Sequence, residues 1–150
     1  WQPLADDVEG LFTYVRRQVV ATGLQVRERA LSPGRQGFAS VRGEIVLNSG
    51  LDSRNRLLVL LHEFAHALEH FRAERKDASK DQCELEAESA AVVVASMLGI
   101  EHPTARDYLL SHAIDAEQLR TSLGAIRRIV GKMVTLLGLQ HAPTDAVCAA

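Results

Sequence analysis

The chain is 150 residues long, 47% hydrophobic and 24% charged, the balance of one globular domain around one core, which excludes a disordered chain, a collagen-like repeat and a tandem array. Its 17 Lys and Arg against 19 Asp and Glu leave a formal charge of -2, so bulk electrostatics gives no general attraction to phosphate backbones or anionic lipids. The longest apolar stretch, residues 90–100, is about half of the roughly 20 residues that a membrane-spanning helix needs, and no membrane association is expected.

Over residues 4–20 the apolar side chains Leu4, Val8, Leu11, Phe12, Val15 and Val19 recur at steps of three and four, which predicts an amphipathic helix stopped by Gly23. Short runs rich in β-formers follow at residues 24–27, 38–41 and 44–47, and they predict a small antiparallel sheet of two or three strands. Asp52 or Ser53 can cap a second helix over residues 54–70. Residues 71–81 carry seven charged side chains and read as an exposed connection. A third helix is expected over residues 82–98, ending at Gly99, and two more over residues 105–113 and 116–137. The last should bury Leu119, Leu123, Ile126, Ile129, Val130, Val134 and Leu137. The fold class is thus α+β, a single domain spanning residues 1–150. Because the chain opens on Trp1 rather than Met, it reads as a trimmed fragment that leaves room for flanking domains. Cys83 and Cys148 lie far apart in unlike contexts, which fits free thiols in a reducing cytoplasm, the expected location.

One motif dominates the second helix: His62-Glu63-Phe64-Ala65-His66. Positions i and i+4 share a helix face one turn apart, so both imidazoles can reach one cation, and neutral imidazole is a good zinc ligand. Glu63 sits about 100° around the axis, where it can act on water as a general base without crowding the metal. The residues before the motif, Leu57, Leu58, Val59, Leu60 and Leu61, make the helix largely buried. Polar groups there cost several kcal/mol unless they find partners.

A catalytic zinc has three protein ligands and an open position, so a third ligand must come from elsewhere. On the next helix, Glu84 and Glu88 lie one turn apart on one face, while Glu86 points about 200° away from Glu84 and reads as part of a solvated acidic turn. Small neighbours Ala87, Ala91 and Ala95 permit close helix approach. Glu84 is the expected third ligand, with Glu88 holding the N–H of one histidine. Spacing alone leaves Glu84 and Glu88 interchangeable.

The run Gly43-Glu44-Ile45-Val46-Leu47-Asn48, the stretch Leu60-Leu61-His62-Glu63-Phe64-Ala65-His66-Ala67-Leu68-Glu69-His70, and the segment Glu84-Leu85-Glu86-Ala87-Glu88-Ser89-Ala90 together resemble the zinc-peptidase-like domains of the ImmA/IrrE group and the related carboxy-terminal domain of ArdC-type antirestriction proteins. The likeness extends to Ala105-Arg106-Asp107-Tyr108-Leu109-Leu110 and the helix through Ile126. It implies a minimal gluzincin-like zincin domain: an N-terminal helix, a small sheet, the active-site helix, a glutamate-bearing helix and C-terminal helices. It implies His62, His66 and Glu84 as zinc ligands and Glu63 as base. By analogy with related zinc peptidases, residues 44–48 would be the edge strand that pairs with an extended protein or peptide substrate.

Tyr108 is a candidate donor to a tetrahedral oxyanion, and His112, one turn on, is a second. His70 continues the i, i+4 series and reads as structural or as a support for the ligands, His102 and His141 as solvated, and Cys83 as a buried thiol. The leading expectation is a zinc-dependent peptidase acting on a specific intracellular protein. The competing one is a catalytically silent module that binds single-stranded DNA or protein, for which Arg120, Arg127, Arg128 and Lys132 form the basic helical stretch. The oligomeric state has no signature in the sequence.

Overall fold

The computed structural model describes residues 7–101 and 116–141. Leu4, His102, Tyr108, His112, Cys148 and the helix expected over residues 105–113 lie outside the described residues. Helix α1 spans Val8–Ala21 and is capped by Asp7, whose carboxylate accepts from the Gly10 N–H at 2.8 Å. Its apolar residues Leu11, Phe12, Val15 and Val19 enter the core, and Gly23, at φ 99°, turns the chain into the sheet.

The sheet is mixed rather than antiparallel. Strands β1 (Gln25–Arg29), β2 (Gly37–Ser40) and β3 (Glu44–Asn48) lie in the order β1-β3-β2, with β3 antiparallel to β2 and parallel to β1. A tight turn with Gly43 at φ 81° forces the antiparallel β2–β3 pair. The longer connection over residues 30–36 lets the chain pass beyond the position that β3 then takes. The central place goes to the most apolar strand: Ile45, Val46 and Leu47 are fully buried. Strand β3 is therefore no edge, and β2 is the edge strand on the side of the second helix.

Helix α2 (Ser53–Glu69) is capped by Asp52, which accepts from the Asn55 N–H at 2.8 Å. Helix α3 (Lys80–Met97) begins two residues before the predicted start, because Ser79 caps it by accepting from the Gln82 N–H at 3.1 Å. Its Ala87, Ala90, Ala91 and Ala95 are fully buried, and their small side chains let α3 lie close against α2. The connection between α2 and α3 is mostly exposed and holds one 3-10 turn, Ala73–Arg75.

Helix α4 (Ala116–Leu136) lies against α3 and α2 with a face rotated from the predicted one. Ser122, Ala125, Ile129, Met133 and Leu137 are buried, while Leu123 is 53% exposed. Small residues at 122 and 125 allow close packing that leucine at 123 would prevent. The Tyr14 hydroxyl donates to the Leu137 carbonyl at 2.8 Å and ties α1 to the end of α4.

Candidate metal centre

Helix α2 turns its apolar residues into the core and leaves His62 and His66 on the side facing α3 and the β2 edge. Their ring centroids stand 4.8 Å apart, as one helical turn dictates. From α3, Glu84 reaches both rings. The His62 Nε2 atom lies 3.1 Å from His66 Nε2 and 3.2 Å from Glu84 Oε2, and His66 Nε2 lies 3.2 Å from Glu84 Oε1. A tetrahedral ion with ligand bonds of about 2.0–2.1 Å separates its donor atoms by roughly 3.3 Å, so the three side chains stand close to the spacing that such an ion requires. Two imidazoles and one carboxylate also suit a borderline-soft divalent cation. Among the described residues, His62, His66 and Glu84 form a group able to hold a metal.

The other carboxylates take different positions. Glu88 accepts from His62 Nδ1 at 2.7 Å, so Nε2 is the His62 nitrogen turned toward Glu84 and His66. Glu63 lines the groove beside His62, His66 and Glu84, and the Ala39 backbone N–H of β2 donates to its carboxylate. It is only 8% exposed. Gly37 makes this approach of strand to helix possible: a Cβ there would fall 2.7 Å from Val59 Cγ1 and 2.8 Å from the Val46 carbonyl.

A groove runs between β2 and α2. One part, about 470 Å³, is lined by Arg35, Gly37, Val59, His62, Glu63 and Glu88. The other, about 410 Å³, is lined by Phe38, Ala39, His66, Phe71, Lys80 and Glu84. His62 and Glu63 border both.

Electrostatics sharpen the picture. Burial is the largest single influence on His62 and pulls its pKa down, but hydrogen bonds with Glu84 and Glu88 and the charge of Glu63 outweigh it and leave the imidazole at about 10. Hydrogen bonds from His62 and His66 hold the Glu84 carboxyl well below the usual carboxylate range. Burial raises the Glu63 carboxyl, partly opposed by His62 and His66. The cluster therefore demands positive charge between the two imidazoles, and a proton or a divalent cation can supply it.

Sequence reasoning missed a second cluster one turn deeper. Glu86 is fully buried rather than solvated: it meets His70 Nε2 at 2.9 Å, the Arg75 guanidinium, the Gln82 amide at 3.1 Å and the Ser122 hydroxyl at 3.3 Å. His70 has its Nδ1 2.8 Å from His66 Nδ1. Glu69 is also fully buried, accepting from Arg128 at 3.0 Å and Lys132 at 3.5 Å. Two of the four basic residues on α4 are thus held by this carboxylate rather than forming a free basic face. The spacing of Arg128 and Lys132, one turn apart opposite an acidic helix end, was the signal available. Cys83 is a half-buried free thiol whose pKa is raised first by burial. The side chain of His141 lies outside the described residues.

No helix among the described residues is long and apolar enough to cross a membrane. No curated protein and no solved structure matches the chain at a significant level. Residues 19–135 match the family model of the IrrE N-terminal-like domain, Peptidase_M78, and the chain belongs to that metallopeptidase-type family.

Proposed function

We propose that this member of the IrrE N-terminal-like family is a zinc-dependent peptidase that hydrolyses peptide bonds of a specific intracellular protein. The observation that carries the reading is the convergence of two histidine Nε2 atoms, 3.1 Å apart, on the Glu84 carboxylate, each 3.2 Å from one of its oxygens, beside a buried, groove-facing glutamate. His62 and His66 would hold the ion through Nε2 and Glu84 through one carboxylate oxygen, with Glu88 fixing the His62 ring. Zinc at that position supplies a Lewis acid for a carbonyl and lowers the pKa of water.

The remaining work falls to the chain's own residues. Glu63, with its pKa raised, accepts a proton from the attacking water and delivers it to the departing amine. Edge strand β2 offers backbone hydrogen-bonding groups to an extended peptide, which aligns a scissile bond over His62 and Glu63. That role belongs to β2 and not to residues 44–48, since both sides of β3 are already paired. Partial burial of His62 and Glu63 limits bulk water around the reacting groups.

The test compares the zinc-loaded protein with Glu63→Gln on a proteome-derived peptide library read by mass spectrometry. The parent should cut a restricted set of sites. Glu63→Gln should bind zinc as tightly and lose turnover by at least about 100-fold. Equal cleavage by the two proteins would remove Glu63 as the base.

A further inference from the structure

We infer that His70 and Glu86 set the tautomer of His66 and so prepare it to bind metal, making His70 a positioning residue that acts through His66. The inference rests on the proposed metal site and extends it by one shell. The chain of contacts is continuous: Glu86 Oε2 lies 2.9 Å from His70 Nε2, His70 Nδ1 lies 2.8 Å from His66 Nδ1, and His66 Nε2 faces the donor triangle.

The direction of each hydrogen bond follows from chemistry. Glu86 is surrounded by donors, the Arg75 guanidinium, the Gln82 amide and the Ser122 hydroxyl, so it is a carboxylate that can only accept. His70 Nε2 must then carry a proton. A neutral His70 keeps a bare Nδ1, which accepts the Nδ1–H of His66. Where an ion takes the place of the proton shared with Glu84, a His66 whose proton stays on Nδ1 turns the lone pair of Nε2 to that ion, and Nε2 is the atom 3.1 Å from His62 Nε2 and 3.2 Å from Glu84. Were the chain reversed, His66 Nε2 would carry hydrogen and could not ligate. His70 is 5% exposed and Glu86 fully buried, so water does not compete for these bonds.

The arrangement also assigns different supports to the two histidine ligands. His62 donates directly to a carboxylate, whereas His66 reaches one through a second ring. Because Ser122 on α4 bonds the same carboxylate, the C-terminal helix is mechanically joined to the ligand ring.

The experiment measures zinc affinity by chelator competition for the parent, His70→Leu and His70→Asn. The asparagine carbonyl can stand where His70 Nδ1 stands and accept from His66; leucine cannot. Loss of this support should weaken zinc binding about 10–100-fold in His70→Leu, while His70→Asn stays within roughly threefold of the parent. Parent-like binding by His70→Leu, or equal loss in both variants, would overturn the inference. Should His70→Leu fail to fold, long-range proton–nitrogen NMR of the zinc-loaded parent decides. It should find His70 neutral with its proton on Nε2 and His66 protonated on Nδ1. A proton on His70 Nδ1 would contradict the scheme. A parent that binds no zinc would instead sink the metal site itself.

Discussion

Two carboxylate–histidine clusters lie along the same interface of α2 and α3, one turn apart, and they solve the problem of charge in opposite ways. The outer cluster sets Glu84 and Glu88 against His62 and His66 beside an open groove. The inner one sets Glu69 and Glu86 against Arg72, Arg75, Arg128, Lys132 and a single histidine, His70, and its carboxylates are sealed from water. Guanidinium and ammonium groups satisfy the inner carboxylates permanently. Imidazoles satisfy the outer ones only when they carry a proton or share a cation. The difference teaches that the same residue types become scaffold or site according to the cations packed against them.

The comparison breaks most sharply at Glu86. Glu86→Leu would take the nearest carboxylate from the half-buried Arg75 guanidinium and from the His70 imidazole, at a cost of about 3–5 kcal/mol. Urea denaturation should find this loss in the metal-free protein as well as the loaded one. For the outer cluster the expected effect depends on metal. Zinc at about 100 times its Kd should stabilise the parent by about 2.7 kcal/mol, seen as a rise in Tm. His62→Ala should abolish that rise. A metal-independent change in both clusters would erase the distinction between them.

Gly37→Ala tests the strand that flanks the outer cluster. The added methyl meets Val59 and a backbone carbonyl, so about 1–3 kcal/mol of stability should go, and β2 should move away from Glu63. Turnover should fall with zinc affinity unchanged. The smallest effect is a pH dependence at Glu69. Burial is the largest influence there and raises its carboxyl, but the Arg128 hydrogen bond and the charges of Arg128, Lys132 and Arg72 prevail and lower it below 4.5. Its contribution to stability is therefore full above the unfolded value and disappears as pH falls through the folded one. The stability difference between the parent and Glu69→Gln should shrink between about pH 6 and about pH 3; a constant difference would show that the ion pairs contribute nothing.

The histidine pair was legible because helical geometry turns an i, i+4 spacing directly into proximity. Glu84 and Glu88 were legible up to an exchange; Glu84 lies 3.2 Å from Nε2 of both histidines, whereas Glu88 meets His62 through Nδ1. The sheet order was not legible. A run such as Ile45-Val46-Leu47 announces burial on both faces, which an analogy with edge strands of related peptidases overrides, and strand order depends on how loops of unequal length return. Glu86 and Glu69 were missed because acidic residues are ordinarily solvated, and their buried partners come from a connection and a helix remote in sequence. On α4, hydropathy favoured Leu123 over Ser122, whereas close packing against α3 selects for size.

The most direct measurement is elemental analysis after zinc loading and exhaustive dialysis, on the parent, His62→Ala, Glu84→Ala and Glu88→Ala. A three-ligand site predicts about one zinc per parent chain, almost none in His62→Ala or Glu84→Ala, and retained but weakened loading in Glu88→Ala. A zinc-free parent, or a Glu84→Ala variant that loads as fully as the parent, would contradict it.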